Sequence, residues 1–107
     1  MMTRIVAVTA CPSGVAHTYM AAEAIESAAK AKGWQCSVET QGSIGIENEL
    51  TREAIAEADV VILTKDIDIK NTDRFKGKTI VHIGISDAVK RSAAVMDKIA
   101  AHLTLST

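Results

Sequence analysis

Apolar positions fall into two patterns along the chain, short β-branched runs and longer stretches with helical spacing. Ile5-Val6-Ala7-Val8-Thr9 is almost unbroken and predicts a strand covered on both faces. Tyr19 to Lys32 predicts a helix, with Met20, Ala21, Ala24, Ile25, Ala28 and Ala31 on the apolar side and Glu23, Glu26, Lys30 and Lys32 in water. Gly33 follows as a helix-ending residue. Cys36 to Thr40 alternates in part and predicts a second strand, followed by a Gln41–Gly45 loop and a connector over Ile46–Leu50. Thr51 is placed to cap a short helix over Arg52–Ala58. Val60 to Thr64 predicts a buried third strand, Lys65 to Lys78 a polar loop, and Thr79 to Ile83 a fourth strand. A last helix, capped by Ser86 or Asp87, carries Ala88, Val89, Ala93, Met96, Ile99, Ala100 and Leu103 as its stripe.

Four strands alternating with three helices define an α/β protein. Right-handed crossovers put the first strand at the centre of an open four-stranded parallel sheet, expected order 2-1-3-4, in a three-layer Rossmann-like or flavodoxin-like arrangement. The switch point of such a sheet lies beside its first strand, at the carboxyl end where ligands gather.

Composition narrows the function classes. The 107 residues suit one domain spanning 1–107. A formal net charge of −1, and aromatics limited to Tyr19, Trp34 and Phe75, argue against nucleic-acid binding by charge or base stacking. No stretch reaches the roughly 18 apolar residues that span a bilayer. No export signal opens the chain, so a cytoplasmic protein is expected. Two cysteines imply no disulfide framework. Cys11 and Cys36 belong at opposite edges of the sheet, so a bond between them is not expected. Asp66 and Asp68 supply too few ligands for a metal, and no cofactor is expected.

The chemistry concentrates between the first strand and the first helix. Cys11-Pro12-Ser13-Gly14-Val15-Ala16-His17-Thr18 leaves the strand and enters the helix. Helix-start N–H groups lack internal partners and stabilise an anion, a thiolate included. A thiol titrating at about 8.5 falls to roughly 3.5–7.5 at such a place. Five residues separate Cys11 from His17, the loop length of the cysteine phosphatases, which place arginine where His17 stands. Without that bidentate clamp the loop is suited to hold a phosphoryl group on sulfur rather than hydrolyse it. Gln41, Gly42 and Ser43, leaving the second strand at the same edge, and Asp66 are secondary candidates for the site. His82, inside a strand, and His102, near the chain end, are read as non-catalytic.

Several segments together carry a family resemblance: Cys11 through Ala24, Val38-Glu39-Thr40-Gln41-Gly42-Ser43-Ile44-Gly45, Asn48-Glu49-Leu50-Thr51 and Arg74-Phe75-Lys76-Gly77-Lys78. The chain closely resembles the fructose-type enzyme IIB component of the bacterial phosphoenolpyruvate-dependent sugar phosphotransferase system. That resemblance implies a phosphocysteine intermediate at Cys11, charged by a phosphohistidine of the cognate IIA protein. It implies transfer to fructose or a similar sugar held by the membrane IIC transporter, at the inner face of the membrane. It further implies a stand-alone subunit. Two other classes stay open on the residues: a low-molecular-weight cysteine phosphatase or arsenate-reductase-like enzyme, and a non-catalytic docking module.

Overall fold

The computed structural model describes residues 3–10, 15–42, 45–65 and 68–106, with the side chains of 15–17, 42 and 102–106 outside the description. In chain order the elements are β1 (Arg4–Ala10), α1 (Val15–Ala31), β2 (Gln35–Gly42), β3 (Gly45–Glu47), α2 (Arg52–Glu57), β4 (Val60–Thr64), a 3-10 turn (Thr72–Phe75), β5 (Ile80–Ile83), α3 (Ile85–Lys90) and α4 (Ser92–Ser106). They build one sheet in the order β3-β2-β1-β4-β5. β1 pairs in parallel with β2 and β4, and β4 pairs in parallel with β5.

The four parallel strands stand in the order expected, but the sheet has five. β3 pairs antiparallel with β2, Ile46 opposite Gln41 and Glu47 opposite Thr40. The segment read as a connector is therefore partly an edge strand. Three residues are too few to display alternation, and Gly45, at φ +112°, supplies the backbone conformation that brings the chain back beside β2.

β1 explains why the first apolar run is unbroken. Ile5 and Ala7 face a core with Ala21, Ile25 and Ala29 of α1, Ile85 and Ala88 of α3, and Met96 and Ile99 of α4. Val6 and Val8 face the opposite core, built from Leu50, Ile55, Ala58, Val61, Leu63 and Phe75. Alternate side chains go to opposite faces, and both faces are covered. On the second face α2 is only one and a half turns or so of helix, and Phe75, fully buried, fills much of what that helix leaves open.

Helix boundaries differ from expectation at three places. α1 starts at Val15 rather than Tyr19, so His17 and Thr18 belong to its first turn. Its buried stripe is Ala21, Ile25 and Ala29, whereas Met20 is 49% exposed and Ala31 lies outside the core. The last helix is two helices broken at Arg91, flanked at its start by Gly84 without a side-chain cap, so neither Ser86 nor Asp87 caps it. At the break the buried Ser92 hydroxyl donates to the Ala88 carbonyl, an i−4 bond of the kind that bends helices.

Two end signals behave as read. Gly33, at φ +78°, donates to the Lys30 carbonyl while Trp34 N–H reaches Ala29, the paired bonds of a Schellman end. Thr51 accepts from Ala54 N–H at 3.0 Å and caps α2.

Candidate functional site

β1 has a parallel neighbour on each side, and the chain leaves it for α1 at the carboxyl edge, so the switch point lies at the end of β1. Ala10 is the last strand residue and Val15 the first helical one. Cys11, Pro12, Ser13 and Gly14, between them, lie outside the described residues, as do Ser43 and Asp66. Val15, Ala16, His17 and Thr18 form the first turn of the 17-residue α1. That turn contains no acidic residue, so no side chain of its own offsets the positive end of the helix dipole.

The approaches to the loop are tightly bonded. Thr64, at the end of β4, accepts from Ala10 N–H at 3.0 Å and donates to the Ala10 carbonyl at 3.2 Å. Thr9 donates to the Thr18 carbonyl at 3.1 Å. Thr18 is only 1% exposed, and among the described residues its own hydroxyl has no hydrogen-bond partner.

The other motif segments converge on a different feature. Glu39 of β2 is completely buried and receives a bidentate pair from Arg74, Nη1 to Oε1 at 2.7 Å and Nη2 to Oε2 at 2.6 Å. Gln41 Nε2 donates to Glu39 Oε2 and Leu50 N–H to Glu39 Oε1. Burial pushes this carboxyl up, but the Arg74, Gln41 and Leu50 hydrogen bonds and the Arg74 charge outweigh it and hold it below the ordinary value. Gln41 also donates to the Lys70 carbonyl and accepts from Lys70 N–H. Its amide is thus committed to joining β2 to the segment after β4. Arg74 lies over the Phe75 ring at 4.7 Å, and Lys78 Nζ donates to the Ala56 and Ala58 carbonyls at the end of α2. Val38–Gly42 and Arg74–Lys78 are therefore the two halves of one brace, buried at Glu39 and Phe75. The sequence displayed them as separate segments; a glutamate between Val38 and Thr40 was the available sign that a buried cation partner exists.

The remaining candidates are spread out. Tyr19, partly exposed, donates to the Glu47 carboxylate on β3. His82 is exposed on β5. Among the described residues no group of three or more His, Cys, Asp or Glu is disposed to hold a metal. Cys36, half-buried in β2, is free, and burial, with Glu26's charge adding to it, pushes its thiol up to about 12. In Cys11→Ser, where Cys36 is the remaining thiol, iodoacetamide alkylation at pH 8 is expected to run roughly three orders of magnitude slower in native buffer than in urea. Comparable rates in the two would contradict the burial assigned to it.

This arrangement, a mainly parallel sheet whose central strand leads at the switch point into the Cys11 segment, defines a doubly wound α/β domain, and comparison with known proteins gives it a family. Residues 6–98 match the family model described as "PTS system, Lactose/Cellobiose specific IIB subunit". The chain is 76% identical over 102 residues to the "PTS system fructose-like EIIB component 2" of Escherichia coli K12, covering 95% of this chain and 96% of that protein. It is 50% identical over 101 residues to the "PTS system fructose-specific EIIB'BC component" of the same organism, covering 94% of this chain and 18% of that longer protein. The solution structure of an enzyme IIB subunit of the PTS system from Escherichia coli K12 superposes with a TM-score of 0.93 at 37% identity, covering 99% of this chain and 98% of that one. The chain belongs to the IIB family of the sugar phosphotransferase system, and within it to the fructose type. Members are phosphotransferase components of sugar uptake. Among the described residues no helix is long and apolar enough to cross a membrane.

Proposed function

We propose that Cys11 carries the phosphoryl group. Its thiolate attacks the phosphorus of a phosphohistidine on the cognate IIA protein; the P–S bond forms as the P–N bond breaks, and the leaving imidazole takes up a proton. A hydroxyl of fructose or a fructose-like sugar, held by the membrane IIC component, then attacks the same phosphorus. The P–S bond breaks, the thiolate is regenerated, and the hydroxyl proton passes to solvent or to a base at the sugar site. The chain, 1–107, works as one IIB domain at the cytoplasmic face of the membrane.

The observation that supports this reading is the position of Cys11 in the chain between the end of the central strand and the start of a 17-residue helix whose first turn carries no acidic residue. Backbone donors from Pro12 to Thr18 (Pro12 itself excepted, having no N–H) stabilise the equatorial oxygens during in-line transfer. His17 stands where a phosphatase has its arginine, so the loop holds phosphate weakly enough to give it up. Gly42 and Ser43 remain candidates for a second wall of the site, and Gln41 serves them by fixing β2. The name of the 76%-identical relative supports the fructose-like sugar.

The test is direct. The protein is incubated with phosphoenolpyruvate, the general phosphotransferase proteins and a fructose-type IIA. Intact-mass analysis is expected to show one added phosphoryl group, mapped to the peptide containing Cys11. A phosphoryl on any other residue, or none with an active IIA, contradicts the assignment.

A further inference from the structure

The chain before and after the Cys11 segment is held by threonine hydroxyls, at Ala10 and at Thr18, that the sequence motif does not single out. On the entry side, the regular pairing of β1 with β4 ends at Val8 opposite Leu63. Ala10 lies beyond it, with its N–H and C=O both needing partners in a dry setting. One hydroxyl supplies both: Thr64 Oγ1 accepts at 3.0 Å and donates at 3.2 Å. A hydroxyl has one proton and two lone pairs, so it serves both bonds at once, and no aliphatic side chain of that shape does. On the exit side, Thr9 Oγ1 ties the Thr18 carbonyl, in the first turn of α1, back to the central strand. Thr9 is fully buried and Thr64 nearly so, so these bonds do not compete with water.

We infer that Thr64 and Thr9 are positioning residues for the Cys11 thiolate. Thr64 fixes the direction in which the chain leaves Ala10, the residue directly before Cys11. Thr9 fixes where the first turn of α1 sits. Together they set how far the sulfur lies from the helix-start amides that stabilise its charge and the phosphoryl group it accepts. The inference rests on Cys11 being the phosphoryl-accepting nucleophile.

The experiment follows iodoacetamide alkylation of the Cys11 peptide against pH, so that Cys36 does not contribute, together with the rate of phosphoryl uptake from a IIA protein charged with phosphoenolpyruvate. Thr64→Val is expected to move the alkylation inflection upward by roughly one pH unit and to slow uptake roughly tenfold. Thr64→Ser, which keeps the hydroxyl, restores both. Thr9→Val moves both in the same direction as Thr64→Val and carries the test if the latter fails to fold. Ile55→Val, which loosens the opposite core, lowers thermal stability without moving the inflection, and so separates positioning from general weakening. Wild-type inflection and uptake in folded Thr64→Val and Thr9→Val would overturn the inference. If instead Cys11→Ser still takes up phosphoryl, the carrier reading fails, and the alkylation inflections alone then decide for or against positioning.

Discussion

Replacing Arg74 with methionine is expected to destabilise the protein by about 3–5 kcal/mol, because it strands a carboxylate with no exposure to solvent. Two short hydrogen bonds from one guanidinium neutralise Glu39, and the bonds from Gln41 and Leu50 N–H are too weak to replace that charge. A loss of this size is a large part of the roughly 5–15 kcal/mol that holds such a domain together. It corresponds to a fall in melting temperature of roughly 12–30 °C. The reverse truncation, Glu39→Gln, is expected to cost less, since the Arg74 side chain is 18% exposed whereas that of Glu39 has no exposure. Urea denaturation of both variants checks this. An Arg74→Met cost below about 1 kcal/mol would mean the pair contributes nothing beyond its packing.

The same brace predicts a pH signature. In the wild type the folded carboxyl titrates below its ordinary 4.5. Its contribution is therefore complete above that value and fades as pH falls through the lower folded one. Without Arg74, burial dominates and the folded carboxyl titrates above its unfolded value. That variant loses stability as pH rises through the acid range. The stability gap between the two proteins is thus expected to narrow as pH is lowered from neutral toward about 4, and a gap that stays constant would point away from Glu39.

What the residues disclosed in advance, and what they withheld, divides along the range of the interactions. The central strand was legible because Ile5 to Val8 feed two cores alternately, and only a strand with cover on both sides is apolar at every step. Gly33 and Thr51 were legible because their bonds reach no more than a few residues. β3 was hidden because it exists only through pairing with β2, and Met20 because periodicity does not say which edge of a helical stripe runs out over solvent. The pairing of Glu39 with Arg74 spans 35 positions, and nothing local to either announces the other. The chemistry of the loop was readable from residue type and place in the chain. The threonines that hold its ends were not, since Thr9 and Thr64 look like ordinary strand residues until the β1–β4 pairing sets Thr64 against Ala10.

Cys11→Ser is expected to abolish phosphoryl uptake, by roughly three orders of magnitude or more, while leaving the fold intact. Serine is nearly the same shape, so the strand end, the Thr64 bonds to Ala10 and the start of α1 are undisturbed. What changes is ionisation. A helix start lowers a thiol from about 8.5 into the range where it is charged at neutral pH, but the same field leaves a hydroxyl protonated. His17, the nearest titratable residue in the motif, would have to act as a general base to rescue it. The variant should melt within a few degrees of the wild type and show no added phosphoryl by intact mass under conditions that saturate the wild type. Substantial uptake by Cys11→Ser, on serine or elsewhere, would mean that sulfur is not the acceptor and that the loop's amides serve a ligand the chain binds without a covalent bond.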